Sequence, residues 1–572
     1  MTASNPHGVS ELAATLDRKI QTALAALTGG LSPVSLALAI TDWAWHLTGS
    51  PGTLACMALE CGQSMTSTPD KEMSDDPRFN HEAWEDWPFQ VFKRLHHTRE
   101  TWWNHATQLR GMEHHHQDVM HFLAHQWLGA TSPSNLPWLN PVVLKATLET
   151  QGQNLLQGAT LGLQDWQRSW GMQPQPAQQS AYRPGIEVAC TPGHVIHSNH
   201  LIELIQYTPQ TPQVQREPIL IVPSWIMKYY ILDLSPANSL VKYLVEQGHT
   251  VFMVSWRNPD ESDALLDMQD YLKLGVLNPL AVITERTGGV PIHTAGYCLG
   301  GTLLAIAAAA LASPNSLPEA DTIAPLASMT LLAAQLDFHD PGDLGVFLDE
   351  AQVALLEDTM AEKGFLSGQL MGSSFQLLKP RHVFWSALVG KYWLGIPDID
   401  DDLTAWNADV TRMPASMHSQ YLHKFYLHNE LAEGQFEVDD EPVSLEDIHL
   451  PVFALGTLKD HVTPWESAYK VMRLTRSDVT FVLTSGGHNA GVLSVPGLPL
   501  RSYQKLTTQA DTHLSSPENW HHTAPTFEGS WWPEWHAWLV QHSSGLVPAQ
   551  DIRTADTLGP APGQYVQVRY KD

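Results

Sequence analysis

Ala295-Gly296-Tyr297-Cys298-Leu299-Gly300-Gly301 is the stretch from which the rest of the chain can be read. A short β-rich run, Pro291-Ile292-His293-Thr294, leads into it, and an apolar helix beginning Thr302-Leu303-Leu304-Ala305-Ile306 leads out. Strand, tight turn and helix are the context of a nucleophile elbow, G-x-S-x-G, here with cysteine in the serine position. Glycines two residues before and two after Cys298 remove the Cβ atoms that would block so sharp a turn. The sulfur would be lifted above the sheet and would sit at a helix N-terminus, where the backbone dipole favours a thiolate and a nearby oxyanion. The pattern alone also fits a small buried cysteine beside a glycine-rich turn, because free cysteine is usually inert core. The decision therefore rests on partners elsewhere in the chain.

Working outward from residue 298, strands and helices alternate. Residues 186–189 and 201–207 read as edge strands, 218–223 as a buried strand, 236–248 as a helix and 250–255 as the next strand. A long helix is expected over 263–287, and further strands over 327–332, 451–456 and 479–484. Continuous apolar strands alternating with helices predict a mainly parallel sheet covered on both faces, an α/β fold. The stretch 335–437 interrupts the alternation, is helical in pattern and carries Trp385, Tyr392, Trp393 and Trp406. Inserted between two sheet strands beside the elbow, it reads as a cap over the active site. Upstream, residues 1–75 form an N-terminal extension. Its first 60 residues or so have helical spacing broken at Gly29-Gly30, and 62–75 read as a polar linker. Residues 76–185 read as a helical N-terminal domain that ends in a second linker, 173–180, and 186–572 as the catalytic domain. Ten of the 21 tryptophans precede residue 171, as core or as a docking face for an apolar partner.

Composition narrows the function. At 572 residues, two or three domains are expected, and 43% hydrophobic residues suffice for large cores. A formal net charge of −28 argues against nonspecific binding to nucleic acid or anionic lipid, though not against a small anionic substrate held by local Lys and Arg. Four cysteines, Cys56, Cys61, Cys190 and Cys298, without a C-x-x-C pair, suggest a reducing compartment. The N-terminus lacks the basic start and apolar core of a signal peptide, and the apolar runs are too short to span a bilayer. A cytoplasmic protein is expected. Glu113-His114-His115-His116 invites a metal reading, but consecutive helical histidines point about 100° apart and cannot converge on one ion, so no metal is expected.

A cysteine nucleophile needs a base, and the base an orienting acid. After an elbow of this kind they follow in the order acid, then histidine, each on a loop beyond a strand. Strand 451–456 runs into Gly456-Thr457-Leu458-Lys459-Asp460-His461, and strand 479–484 into Ser485-Gly486-Gly487-His488-Asn489-Ala490-Gly491. Asp460 and His488 are therefore the expected acid and base. With 29 histidines, one in a loop means little, but one in a glycine-rich loop after the last strand means more. His461 is the alternative base, and Asp337 and Asp340 the alternative acids, which otherwise cap the entry into the insertion. The oxyanion hole is expected from the backbone N–H of Leu299 and a second one in the loop Ser224-Trp225-Ile226-Met227-Lys228. Ile226 is placed as that donor, with Trp225 as the alternative. Lys228 reads as a solvated surface lysine, with contact to an anionic group as the other option.

These motifs, with Ser132-Pro133-Ser134-Asn135, Asn140-Pro141, Leu201 to Tyr207, Lys228-Tyr229-Tyr230-Ile231-Leu232-Asp233-Leu234, Val254 to Pro259, Asp460-His461-Val462-Thr463-Pro464-Trp465 and Gly529-Ser530-Trp531-Trp532-Pro533, resemble one family. The chain is similar to class I polyhydroxyalkanoate synthases, the cytoplasmic polymerases of bacterial storage polyesters, from about residue 76 to the C-terminus. The resemblance implies an α/β-hydrolase fold and an (R)-3-hydroxyacyl-CoA substrate, of the short-chain 3-hydroxybutyryl type. It implies release of CoA, a polyester held as a thioester on cysteine, no cofactor, association with storage granules and their coat proteins, and a homodimer. Cys298, Asp460 and His488 match the family's catalytic three by position. Departures are Met227 where Asn is expected, Thr463 where Val is common, and the loop Gly486 to Gly491 in place of Ser-Gly-His-Ile-Ala-Gly. The rival expectations are a thioesterase or depolymerase using the same groups on water, and a noncatalytic granule-coat protein.

Overall fold

The computed structural model describes residues 13, 15–21, 23, 31–64, 76–169, 181–313, 317–368, 370–372, 381–510, 512 and 515–569. The break at Gly29-Gly30, linker residues 65–75 and the linker 173–180 lie outside them; residues 62–64 end a helix, Pro51–Ser64. Two compact units form. One comprises Met1–Gln179, Leu344–Leu355 and Phe375–Ile399, the other Ser180–Asp343, Leu356–Ser374 and Asp400–Asp572.

The second unit is built on an eleven-stranded sheet: β1 Gly193–Ser198, β2 Ile202–Tyr207, β3 Ile219–Val222, β4 Val251–Trp256, β5 Ile292–Tyr297, β6 Leu326–Leu332, β7 Val452–Thr457, β8 Val479–Thr484, β9 Ser502–Thr508, β10 Thr526–Glu528 and β11 Gly559–Pro560. Their order across the sheet is β10-β9-β8-β7-β6-β5-β3-β4-β2-β1-β11. The strands from β8 through β4 in that order are all parallel. Every residue of β3, β4, β5, β7 and β8 is buried, as expected of strands covered by helices on both faces. Antiparallel strands flank this core on both sides. One strand expectation is corrected, and the sheet holds further strands at its edges. Residues 186–189 form a turn with an isolated bridge, Pro184 to Val188, and the neighbouring strand is β1 instead. β9, with several half-buried residues, β10, exposed throughout, and the two-residue β11 lie outside the expected set.

The expected helix over 263–287 is a run of three segments: an α-helix Met268–Leu272, a π-turn Lys273–Leu277 and an α-helix Asn278–Thr287. Gly275 sits in the π-turn because the Trp256 ring passes there; an added Cβ would fall 2.2 Å from it.

The other unit is helical, with helices Pro33–Thr48, Pro51–Ser64, Phe89–Thr107, His114–Ala130, Pro141–Glu149 and Gln153–Ser169. Ala39, Met112, Val119 and Met120 form a core against Trp43, Leu123 and Val346. The expectation of core is met for Trp84, which is buried, and Trp43 stacks on Trp103 at 5.8 Å, while Trp45, Trp87 and Trp138 are exposed. The stretch 335–437, read as one cap, is shared between the two units. Trp385 lies over Gly129, where a Cβ would come within 2.3 Å of its indole nitrogen, and Trp393 donates to the Asn135 carbonyl at 2.9 Å. Both rings thus belong to the helical unit's packing.

Candidate active site

β5 ends at Tyr297, and the next residue, Cys298, has φ 53° and ψ −126°. A left-handed φ on a non-glycine residue is strained, and such strain is tolerated where a side chain must be aimed. The surrounding glycines make the turn possible. A Cβ on Gly296 would lie 2.3 Å from the Gly301 Cα, and one on Gly301 2.5 Å from the Ala334 Cβ. A Cβ on Gly300 would lie 2.1 Å from the Val222 carbonyl oxygen. Gly300 therefore lets the helix Leu299–Ala312 abut the end of β3, so the expected oxyanion donor Leu299 starts its helix beside the loop that holds Ile226. As the first helical residue, Leu299 has an N–H that no helical carbonyl can reach. Ile226 and Trp225 are both buried, and their carbonyls accept from the backbone N–H and the hydroxyl of Thr411.

Asp460 lies three residues past β7 and His488 four past β8, at the same carboxyl edge of the sheet as Cys298, where ligands bind in open α/β sheets. His488 Nδ1 donates to Asp460 Oδ2 at 2.8 Å; the two side chains are 11% and 0% exposed. The carboxylate also accepts the Thr457 hydroxyl at 2.8 Å and the backbone N–H groups of Val462 and Thr463 at 3.0 and 2.9 Å. Burial pushes the Asp460 carboxyl up, but the His488 imidazole and these donors outweigh it and hold it below the usual carboxylate range. Burial likewise opposes charge on His488. The Asp460 carboxylate and the Cys298 sulfur reverse that and raise the imidazole well above its ordinary value. The structure thus gathers Cys298, His488 and Asp460 into one line of interaction.

The alternatives are held elsewhere. Burial lowers the His461 imidazole, whose Nδ1 has no hydrogen-bond partner among the described residues. Asp337 accepts from Asn429, Arg473 and the His339 N–H, and Asp340 pairs with Lys470 at 2.8 Å. The expectation of a solvated Lys228 is corrected. The side chain is 2% exposed, and its ammonium donates to the carbonyls of Tyr565 at 3.2 Å and Val568 at 2.7 Å. Burial pushes it down to about 8 despite the opposing charge of Asp409. The C-terminal segment folds back onto the loop after β3, and nothing in the loop's own composition signals that.

Sequence reasoning also missed the residues that fix the histidine loop. Trp531 and Trp532 donate their indole N–H groups to the carbonyls of Gly491 and Val492, each at 3.0 Å, and so anchor the short helix His488–Val492. The Lys459 N–H donates to the Gly486 carbonyl at 2.8 Å and ties the acid loop to the histidine loop. The Tyr297 hydroxyl donates to Asn489 Oδ1 at 2.6 Å, with its ring 5.6 Å from the His488 ring. Asn489, one of the noted departures, thus has a partner beside the elbow. Thr463 serves Asp460 through its backbone, which valine would supply equally. Met227 makes an isolated backbone bridge to Val410.

Among the described residues one group has metal-ligand spacing: Asp76, His97 and Glu100, in the helical unit. Arg78 already pairs with Asp76 at 2.7 Å and Glu100 at 2.9 Å, so its guanidinium supplies the cation.

A strained nucleophile position after a central strand, an acid after a later strand and a histidine after the next define the α/β-hydrolase class, and residues 217–493 match the alpha/beta hydrolase fold family. Residues 75–244 match the Poly-beta-hydroxybutyrate polymerase (PhaC) N-terminus, and residues 11–53 the Poly-beta-hydroxybutyrate polymerase N terminal family. A Poly(3-hydroxyalkanoate) polymerase of Methylorubrum extorquens is 39% identical over 499 residues, 86% of this chain and 81% of that protein. The Poly(3-hydroxyalkanoate) polymerase subunit PhaC of Cupriavidus necator is 37% identical over 461 residues, 78% of this chain and 75% of that one. The chain belongs to the poly(3-hydroxyalkanoate) polymerase family, and is by class an acyltransferase.

Proposed function

We propose that the chain polymerises (R)-3-hydroxyacyl-CoA, with 3-hydroxybutyryl-CoA as the preferred short-chain monomer, through a thioester on Cys298. The observation that carries this reading is the left-handed Cys298 at the end of β5 beside the hydrogen-bonded His488–Asp460 pair. His488 takes the Cys298 proton, the thiolate attacks the acyl carbonyl carbon, and the C–S bond to CoA breaks as His488 returns the proton to the departing thiol. His488 next takes the proton of an incoming monomer's 3-hydroxyl. That oxygen attacks the chain thioester, an ester bond forms, and the Cys298 thiol is released with the proton. Asp460 fixes the imidazole tautomer and stabilises its charged form. The backbone N–H groups of Leu299 and Ile226 would face the oxyanion at each addition.

Cysteine suits this chemistry. Exchange between two thioesters is nearly isoenergetic, so the chain is held without losing its activation, whereas an ester on serine would lie lower and transfer less readily. CoA enters as part of the substrate, and the scheme draws on no other cofactor and no metal. A cytoplasmic homodimer at the surface of polyester granules, with granule-coat proteins as neighbours, fits this chemistry, and no described helix is long and apolar enough to cross a membrane.

Incubation with (R)-3-hydroxybutyryl-CoA, following free thiol and turbidity together, tests the reading. Thiol release with rising turbidity is expected. Thiol release with stoichiometric free hydroxy acid and a clear solution would make the chain a thioesterase, and neither signal would leave a noncatalytic granule protein.

A further inference from the structure

Two tyrosines of the inserted segment pack together beside Trp225, in the loop after β3 that holds the expected oxyanion donor. Tyr421 ends the helix Ala415–Tyr421, and Tyr426 lies within the π-helical run Leu422–Leu427 that follows. In an α-helix residues five apart point about 140° from each other. A π-turn closes its hydrogen bond over five residues, as the His428 N–H does to the His423 carbonyl at 3.0 Å, and brings such residues over one another. The result is a hydroxyl pair: the two phenolic oxygens are 2.9 Å apart, with the rings edge to face at 5.2 Å. The wall around them is aromatic, with Phe338 5.0 Å from the Tyr426 ring and Trp225 6.5 Å from the Tyr421 ring. The loop of Trp225 follows β3, against whose end the helix after Cys298 abuts, which sets the pair at the Cys298 end of the sheet, and the Cys298 sulfur is among the groups that act on both hydroxyls electrostatically. Burial, then the neighbouring charges, keep both phenols protonated at any working pH, so neither is a base. Of their two protons, one is shared within the pair and one remains to be donated outward, beside lone pairs that can accept.

We propose that the paired hydroxyls of Tyr421 and Tyr426 are the contact that reads the 3-hydroxyl of the acyl group while its carbonyl carbon lies at Cys298. This rests on the acyl-CoA reading above. A polar point in an otherwise aromatic wall is left unpaired by a substrate that lacks the hydroxyl, and a site built to hydrogen-bond one group discriminates strongly against the analogue without it. The pair would thus act in selection, holding the 3-oxygen in register with the sulfur. It takes no proton from Cys298.

The test compares loading of the full-length enzyme by (R)-3-hydroxybutyryl-CoA and by butyryl-CoA, read as first-turnover thiol release and as mass added to Cys298. Wild type should prefer the hydroxylated substrate by a large factor. Tyr426→Phe and Tyr421→Phe, each keeping the ring, should each cut that preference about tenfold or more while loading by butyryl-CoA changes little. An equal loss for both substrates, as from a purely structural role or a contact to the carbonyl oxygen, overturns the proposal. So does an undiminished preference in a folded variant. Wild type that loads neither substrate would instead sink the acyl-CoA reading itself. The two phenylalanine variants are independent, so misfolding of one leaves the other to decide.

Discussion

The protonation of His488 is set by three influences that can be removed one at a time. Burial favours the neutral ring, and Asp460 and Cys298 favour the charged one and prevail. Because the folded value is raised above the unfolded value of about 6.5, the stability this pairing contributes is complete below that pH and is lost as pH rises through the folded value. Cys298→Ala should abolish CoA release and let the imidazole lose its proton at lower pH than in wild type. Asp460→Asn should lower it further and reduce turnover by about four orders of magnitude, through the wrong tautomer. Histidine-selective NMR titration beside a thiol-release assay checks both. An unchanged titration in the alanine variant would mean that the sulfur does not act on the ring.

At the scale of elements, the histidine is only as well placed as the short helix it begins. That helix spans His488–Val492, too short to hold itself in water, and two indole N–H groups from another helix start fix its end. Trp531→Phe keeps the ring and removes the donor, leaving the Gly491 carbonyl buried and unpaired at a cost of about 1–3 kcal/mol. A small displacement of His488 would follow. We expect kcat to fall by about tenfold to a hundredfold with KM nearly unchanged, because substrate contacts would remain while His488, the proposed base, is misaligned. A rise in KM with kcat intact would place Trp531 in substrate binding instead. The motif Gly529-Ser530-Trp531-Trp532-Pro533 was legible as a family mark, but its purpose was not, since the carbonyls it serves lie 40 residues away in sequence.

At the scale of the whole molecule, the insertion is shared between the two units. Trp385 packs on Gly129 and Trp393 bonds Asn135, whereas Trp406, with its indole N–H on the Lys228 carbonyl at 2.7 Å, belongs to the catalytic unit. Trp385→Ala should therefore lower thermal stability by about 1–3 kcal/mol and leave the ratio of polymer to free hydroxy acid unchanged. Trp406→Ala should raise the share of hydroxy acid, as water would then reach the proposed thioester. Product analysis at equal CoA release checks the pair, and a shift to hydroxy acid with Trp385→Ala would restore a single continuous cover.

What the sequence by itself determined was local or periodic. The elbow follows from three glycines whose missing Cβ atoms permit the turn, the parallel core from apolar runs buried on both faces, and the order of acid and histidine from the strands they follow. Cys298, Asp460 and His488 could be named as candidates because each sits just beyond a strand end. What only the tertiary structure decided depends on which distant backbone or ring passes by. The C-terminal carbonyls turn Lys228 from a surface lysine into a buried one. Asn489 gains its partner from Tyr297 across the turn, and the insertion divides because Gly129 leaves room for the Trp385 ring. Tyr421 and Tyr426 meet through a π-turn whose five-residue step has no signature in the pattern of residues. Steric limits and hydrophobic periodicity act between neighbours in the chain and can be read from it, whereas the Lys228, Asn489 and Trp385 pairings join segments far apart in sequence and, like the π-turn that brings the two tyrosines together, exist only once the chain has folded.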